Sequence, residues 1–215
     1  MERQVILLNG PSSSGKSTLA KALQALISDK RSERYEVVSI DDFLKMSPTE
    51  TIYEDDVFDI SDDLCKRAVE ILETCDGVII DHVITSERIF KHLQEKLSSC
   101  HLRMVRVTCP LQLLRKRELE RGDRSPGSAE ASAEYLFPKE GYDLVVDTGT
   151  KSPEENSLLI IKKCFPKKKD TAHGYEEVLA KHHKSIIESY DLAETDTELF
   201  ITERVNNLLF RKNRS

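Results

Sequence analysis

The stretch Asn9-Gly10-Pro11-Ser12-Ser13-Ser14-Gly15-Lys16-Ser17-Thr18 stands between an apolar run, Val5-Ile6-Leu7-Leu8, and an apolar helical pattern that begins at Leu19. Its glycines admit positive φ and let the backbone come close to a ligand. In a strand-to-helix turn of this kind, successive amide N–H groups face inward and form an anion nest at the helix N-terminus. The serine side chains are small enough to leave the approach open. Gly10-x-x-x-x-Gly15-Lys16-Ser17 matches the P-loop pattern, with a strand before it and a helix after it, the context that gives the pattern meaning. The spacing predicts that Lys16 bridges the terminal phosphates of a nucleotide and that the Ser17 hydroxyl binds Mg²⁺. Gly10, Pro11, Ser12, Ser13, Ser14, Gly15, Lys16, Ser17 and Thr18 are therefore the candidate nucleotide-binding residues.

Further apolar runs follow at 35–40, 77–81, 103–109 and 142–148. They are rich in valine and isoleucine and mostly do not alternate, which suits strands buried on both faces of a parallel sheet. Helical patterns separate them. Leu19, Leu23, Leu26 and Ile27 share one face; Leu64, Ala68, Ile71 and Leu72 share another, behind Ser61 as a candidate N-cap. Residues 85–98 form a third pattern, Pro110 opens a fourth, and Ser152-Pro-Glu-Glu155 is a capping-box start for a fifth. Strands alternating with helices predict an α/β sandwich, with ligands beyond the carboxyl ends of the strands. Residues 42–60 read as an acidic, partly aromatic cover. Residues 121–139 read as a lid that begins at an arginine-rich turn.

The chain has 215 residues and a net charge of −6, a balance that gives no reason to expect nucleic acid or an anionic membrane as a partner. Its five cysteines are scattered without a C-x-x-C pair, which favours a reducing, cytoplasmic setting over a disulfide framework. No run approaches the ~18 apolar residues of a membrane span. No signal-peptide pattern precedes the phosphate loop.

Acidic and basic positions narrow the chemistry. Asp81 closes the third strand, where it can hold Mg²⁺. Asp41 ends the second strand, where a carboxylate can take the proton of an attacking hydroxyl. Asp42 competes for that role, and by alternation one of the two faces the site. His82 reads equally as an acceptor contact and as a packed or solvated histidine. Arg121 and Arg124 flank Gly122-Asp123, and guanidinium groups match the charge spread over a moving phosphoryl group. Arg115 and Arg117 read as solvated helix-surface charges.

The segments V-I-L-L-N-G-P-S-S-S-G-K-S, S-I-D-D-F-L, V-I-I-D-H, E-R-G-D-R-S-P-G-S-A and G-Y-D-L-V-V-D-T together resemble the chloramphenicol phosphotransferase-like family of P-loop kinases, over roughly residues 3–164. The resemblance implies a five-stranded parallel sheet of order 2-3-1-4-5 and ATP-dependent phosphorylation of a small-molecule hydroxyl. It implies ATP and Mg²⁺ at Lys16 and Ser17, Asp41 as catalytic base, and Arg121 and Arg124 in a phosphate-gripping lid. It also implies the adenine near Thr148 and Gly149. Where family members carry a second acid after the third strand, this chain has His82, and residues 43–60 do not resemble the family's antibiotic pocket. The acceptor is therefore left open.

These readings divide the chain into a kinase domain over 1–165 and a helical C-terminal extension over 166–215. Ile201, Val205, Leu208 and Leu209 form an apolar stripe in that extension. The stripe suits packing on the domain, a homo-oligomer or a protein partner, and it motivates an alternative class of function: a nucleotide-dependent switch or scaffold acting through these helices. A kinase with a protein or nucleotide acceptor is a further alternative.

Overall fold

The computed structural model describes residues 3–44, 53–122 and 125–165. The extension over 166–215, with its apolar stripe and the switch reading drawn from it, lies outside the described residues, as does Arg124.

Five strands form one parallel sheet of order β2-β3-β1-β4-β5: β1 (Gln4–Asn9), β2 (Tyr35–Ser39), β3 (Gly77–His82), β4 (His101–Thr108) and β5 (Leu144–Asp147). The order is the one the family resemblance implies. Helices α1 (Lys16–Arg31), α2 (Glu54–Ile71), α3 (Glu87–Lys96), α4 (Leu111–Arg121), α5 (Ser128–Tyr135) and α6 (Pro153–Cys164) connect or follow the strands.

Alternate residues of the strands feed two cores. Val5, Leu7, Val78 and Ile80 pack with Leu64, Ala68, Ile89 and Leu93 of α2 and α3 on one face. Ile6, Leu8, Ile79 and Val107 pack with Leu19, Leu23 and Ile27 of α1 and Ile160 of α6 on the other. Both faces are covered, which is why the strand sequences read as continuous apolar runs rather than alternating ones. The predicted capping box holds at α6: Ser152 accepts the Glu155 N–H, and Glu155 accepts the Ser152 N–H.

One helix starts earlier than its sequence suggests. Ser61 is not an N-cap. Helix α2 begins at Glu54, so the second half of the expected cover is its first two turns. Glu54, Asp55 and Asp56 sit in the first turn, where the helix dipole favours carboxylates. Ser61 is mid-helix and fully buried. Its hydroxyl donates to Val57 O at 2.6 Å and lies 2.9 Å from His82 Nε2. With its one proton committed to the carbonyl, the serine oxygen accepts from Nε2–H, which sets the imidazole tautomer.

His82 is fully enclosed, and burial pushes its pKa down to about 4. An unfolded histidine titrates near 6.5, so between those values the unfolded chain binds more protons than the folded one. Stability from this group is therefore complete above pH 6.5 and is lost as pH falls toward 4, by on the order of 3 kcal/mol. Asp62, held low by Lys66, Lys96 and His92, acts in a more acidic window. Denaturant titrations in metal-free buffer at pH 7 and pH 4.5 should show a steep loss of stability in the wild type and a shallower one in His82→Gln.

Candidate active site

The sheet register brings Asn9 beside His82, Leu8 beside Asp81, and Ser39 beside Asp81. Polar strand ends therefore meet at one edge, where a cleft of about 1010 Å³ opens.

The phosphate loop forms its floor. Gly15, at φ +86°, is the residue before α1, and no side chain caps that helix. Its first amide groups are thus left to an outside acceptor. At Gly10 a β-carbon would stand 2.3 Å from Val107 O, so only glycine lets the loop leave β1 this close to β4. Ser12, Ser13, Gly15, Lys16, Ser17 and Thr18 line the cleft. Gly10, Pro11 and Ser14 are buried beneath it. The Lys16 ammonium donates to Pro11 O at 2.8 Å. The Ser13 and Ser14 hydroxyls are buried with no hydrogen-bond partner. Orphaned donors in a nest of amides suit an anionic ligand.

Ser17 Oγ donates to Asp81 Oδ2 at 2.6 Å, and Ser39 Oγ lies 3.5 Å from the same oxygen. A hydroxyl and a carboxylate together at the mouth of the nest are the oxygen donors a hard divalent cation takes.

Asp41 and Asp42 lie in a single 3-10 turn, Ile40–Asp42, not in the strand itself. Asp41 lines the cleft, and its carboxylate lies 3.7 Å from Arg121 Nη2. Asp42 accepts the Ser39 N–H and lines a separate cavity of about 330 Å³. The turn thus divides the two carboxylates between two surfaces. Of the two readings given to His82, acceptor contact and packed or solvated histidine, the structure places it as packed: it is fully buried, its Nε2 meets Ser61 in the core, and it does not line the cleft.

Arg117 corrects the surface reading given to it. It spans α4 to the phosphate loop: Nη1 lies 3.3 Å from Ser14 O and from Thr148 Oγ1, and Nη2 2.9 Å from Thr148 O. It also lines the cleft. Arg115, by contrast, makes an exposed pair with Glu130. The signal that finds Arg117 is helical spacing. Buried Leu114 and Glu118 lie on the face that also carries residues 117 and 121. Glu118 itself accepts the Gly127 and Ala129 N–H groups at 2.9 and 2.7 Å, which fixes the start of α5. From α5, Ser132 Oγ accepts the Ser12 N–H at 2.9 Å. Thr148 reaches Ser14 O from beyond β5 and so braces the loop from behind. Gly149 packs on Pro110, where a β-carbon would meet Cδ at 2.4 Å.

Residues 3–165 match the family of chloramphenicol phosphotransferase-like proteins. The chain belongs to that family. With it, the protein is a phosphotransferase of the kinase type, built on a P-loop nucleotide fold. Two Mycobacterium tuberculosis relatives, from strains CDC 1551 and H37Rv, each named "Putative O-phosphotransferase", are 29% identical over 174 residues. The match spans 68% of this chain and 76% of each relative. Among solved structures, the M. tuberculosis APS kinase in complex with AMPPNP and APS superposes with a TM-score of 0.60 at 17% identity, over 76% of this chain and 98% of that one. A gluconokinase from Sinorhizobium meliloti gives 0.56 at 20% identity, over 72% and 87%. Shikimate kinase from Acinetobacter baumannii gives 0.54 at 16%, over 78% and 96%. At these identities the likeness is one of fold.

Removing the Arg117 guanidinium leaves Ser14 O with Thr148 alone and loosens the loop. Arg117→Ala should weaken nucleotide affinity by about tenfold, since hydrogen bonds to a charged group contribute about 1.5–3 kcal/mol. Arg117→Lys should restore only part of it, because one ammonium cannot span both carbonyls. Calorimetric titration with AMPPNP would measure both.

Proposed function

We propose that the protein moves the γ-phosphoryl group of ATP to a hydroxyl of a small molecule. The observation that carries this reading is the shared cleft: a phosphate nest and the carboxylate of Asp41 open onto one space, with Arg121 beside Asp41.

In this reading the amides of Ser13, Gly15, Lys16 and Ser17 and the Lys16 ammonium cradle the phosphate chain. Ser17 and Asp81 are the residues that would hold Mg²⁺, which, when bound, neutralises charge on the β- and γ-phosphates. The turn at Thr148 and Gly149 borders the nucleoside. Asp41 accepts the acceptor's proton as the alcohol oxygen bonds to phosphorus. Arg121 stabilises the charge on the equatorial oxygens, a role the sequence also offers to Arg124. The chain carries no N-K-x-D segment of the kind that reads guanine, which favours adenine.

Acceptor-dependent ADP release, screened over a panel of hydroxylated metabolites and antibiotics, tests the reading. Lys16→Ala should lower turnover by at least about a hundredfold, the scale of losing one preorganised charge-stabilising group. Asp41→Asn should leave nucleotide affinity nearly unchanged while lowering kcat by about 10²–10⁴, the range of general-base catalysis. Wild-type transfer by Asp41→Asn would remove Asp41 from the base role. A wild-type chain without affinity for ATP in the presence of Mg²⁺ would end the reading.

A further inference from the structure

The cleft has two ends of opposite character. The basic side chains on its wall, Lys16, Arg117 and Arg121, stand at the phosphate end. The other end lies between the turn after β2, the start of α2 and the β3–α3 connection. There the wall is largely aliphatic, formed by Ile40, Leu44, Val57, Val83 and Ile89, with the hydroxyl residues Thr85 and Ser86 from the connection.

At the mouth of this apolar end stand Tyr53, 68% exposed, and Glu54. The neighbouring carboxylates are occupied. Asp55 pairs with Arg88, and Asp56 accepts the Tyr53 N–H at 2.9 Å. Glu54 makes no hydrogen bond or ion pair among the described residues, and it lines the cleft. The cation held at this rim, Arg88, sits 4.1 Å over the Phe58 ring, and its charge is set against Asp55, Glu54 and Asp59 together. Among the described residues the rim is therefore net negative.

Resting on the phosphotransferase reading, we propose that the acceptor is an alcohol whose apolar body carries a protonated amine and no anionic group. An anionic acceptor would meet the Glu54 carboxylate at the mouth, while the cationic wall residues are directed to the nucleotide's phosphates. A neutral alcohol fits the aliphatic wall without penalty. An ammonium group gains the Glu54 carboxylate. In the transfer, the alcohol oxygen bonds to the γ-phosphorus as the bond from phosphorus to the β–γ bridging oxygen breaks. ADP leaves with that electron pair, and the hydroxyl proton passes to Asp41.

The test uses the full chain and three matched probes: cyclohexylmethanol, and its analogues bearing an aminomethyl or a carboxylate group at the opposite ring carbon. Ligand-observed NMR titrations with AMPPNP and Mg²⁺ at saturation, so that the phosphate nest is occupied, rank their affinities. The aminomethyl alcohol should bind about two- to fivefold tighter than the neutral one, the scale of a solvent-exposed ion pair, and the carboxylate should bind weakest. Glu54→Gln should make the amine and the neutral probe equal, and Glu54→Lys should reverse the order of amine and carboxylate. Tighter binding of the carboxylate, a ranking untouched by Glu54→Gln, or no binding by any of the three overturns the proposal. Calorimetry with AMPPNP and Mg²⁺ alone judges the phosphotransferase reading separately: no nucleotide binding there ends that reading, whereas a wrong charge ranking with nucleotide bound ends this one.

Discussion

The carbonyl oxygen of Ser14 is held from behind by Arg117 and Thr148, two residues that reach it from α4 and from the far side of β5. This shared anchor governs the site. A loop of serines and glycines has much conformational freedom to lose, and ordering it on ligand binding would cost affinity. Bracing the Ser14 carbonyl leaves the Gly15 amide of the same peptide free to face the cleft. The contact of Lys16 with Pro11 O works in the same direction, closing the turn with the side chain that also faces the ligand.

Asn9 extends this order to the walls. It ends β1 and is fully buried. Its amide donates to Phe137 O at 2.8 Å and lies 2.7 Å from Tyr142 Oη, while its Oδ1 accepts the Ile84 N–H at 3.0 Å. Phe137 N–H in turn donates to Ile84 O at 2.8 Å. The segment that follows α5 and the connection that carries Val83 are thereby tied to the residue from which the phosphate loop departs. A buried amide with its donors and acceptor satisfied is costly to disturb, since any one lost partner leaves a polar group stranded.

Much of the frame is legible in the sequence because buried parallel strands and amphipathic helices leave periodic traces. The phosphate loop is legible because close backbone approach demands glycine. Helix α2 was harder to read at its start. Its acidic first turn resembles a solvated loop until one asks where the helix dipole would place three carboxylates. Arg117 was hidden for another reason. Its helix is rich in charge, and nothing in composition separates an arginine that solvates a surface from one that crosses to a carbonyl. The shared face with Leu114 and Glu118 was the available clue. For Asp41 and Asp42, strand alternation gave a sound expectation of opposite directions on a mistaken geometry. The division comes from a 3-10 turn in which Asp42 caps the chain at Ser39.

The end of β3 joins the two halves of the cleft. Asp81 and His82 are consecutive and point to opposite faces of the sheet, as strand geometry requires. Asp81 meets Ser17 on the phosphate side, and His82 meets Ser61 of α2. Ser61 hydrogen-bonds back to Val57 O, one turn nearer the start of α2, and the Val57 side chain lines the apolar end of the cleft. A single strand terminus therefore sets both the carboxylate at the phosphate nest and the height of the helix that walls the opposite end. Because the histidine is neutral and buried, the bond to Ser61 carries no charge that solvent or a ligand's phosphates would perturb. The spacing between the nest and the apolar wall is thus fixed by the core, and charge at the mouth, where Glu54 stands, can vary without disturbing it.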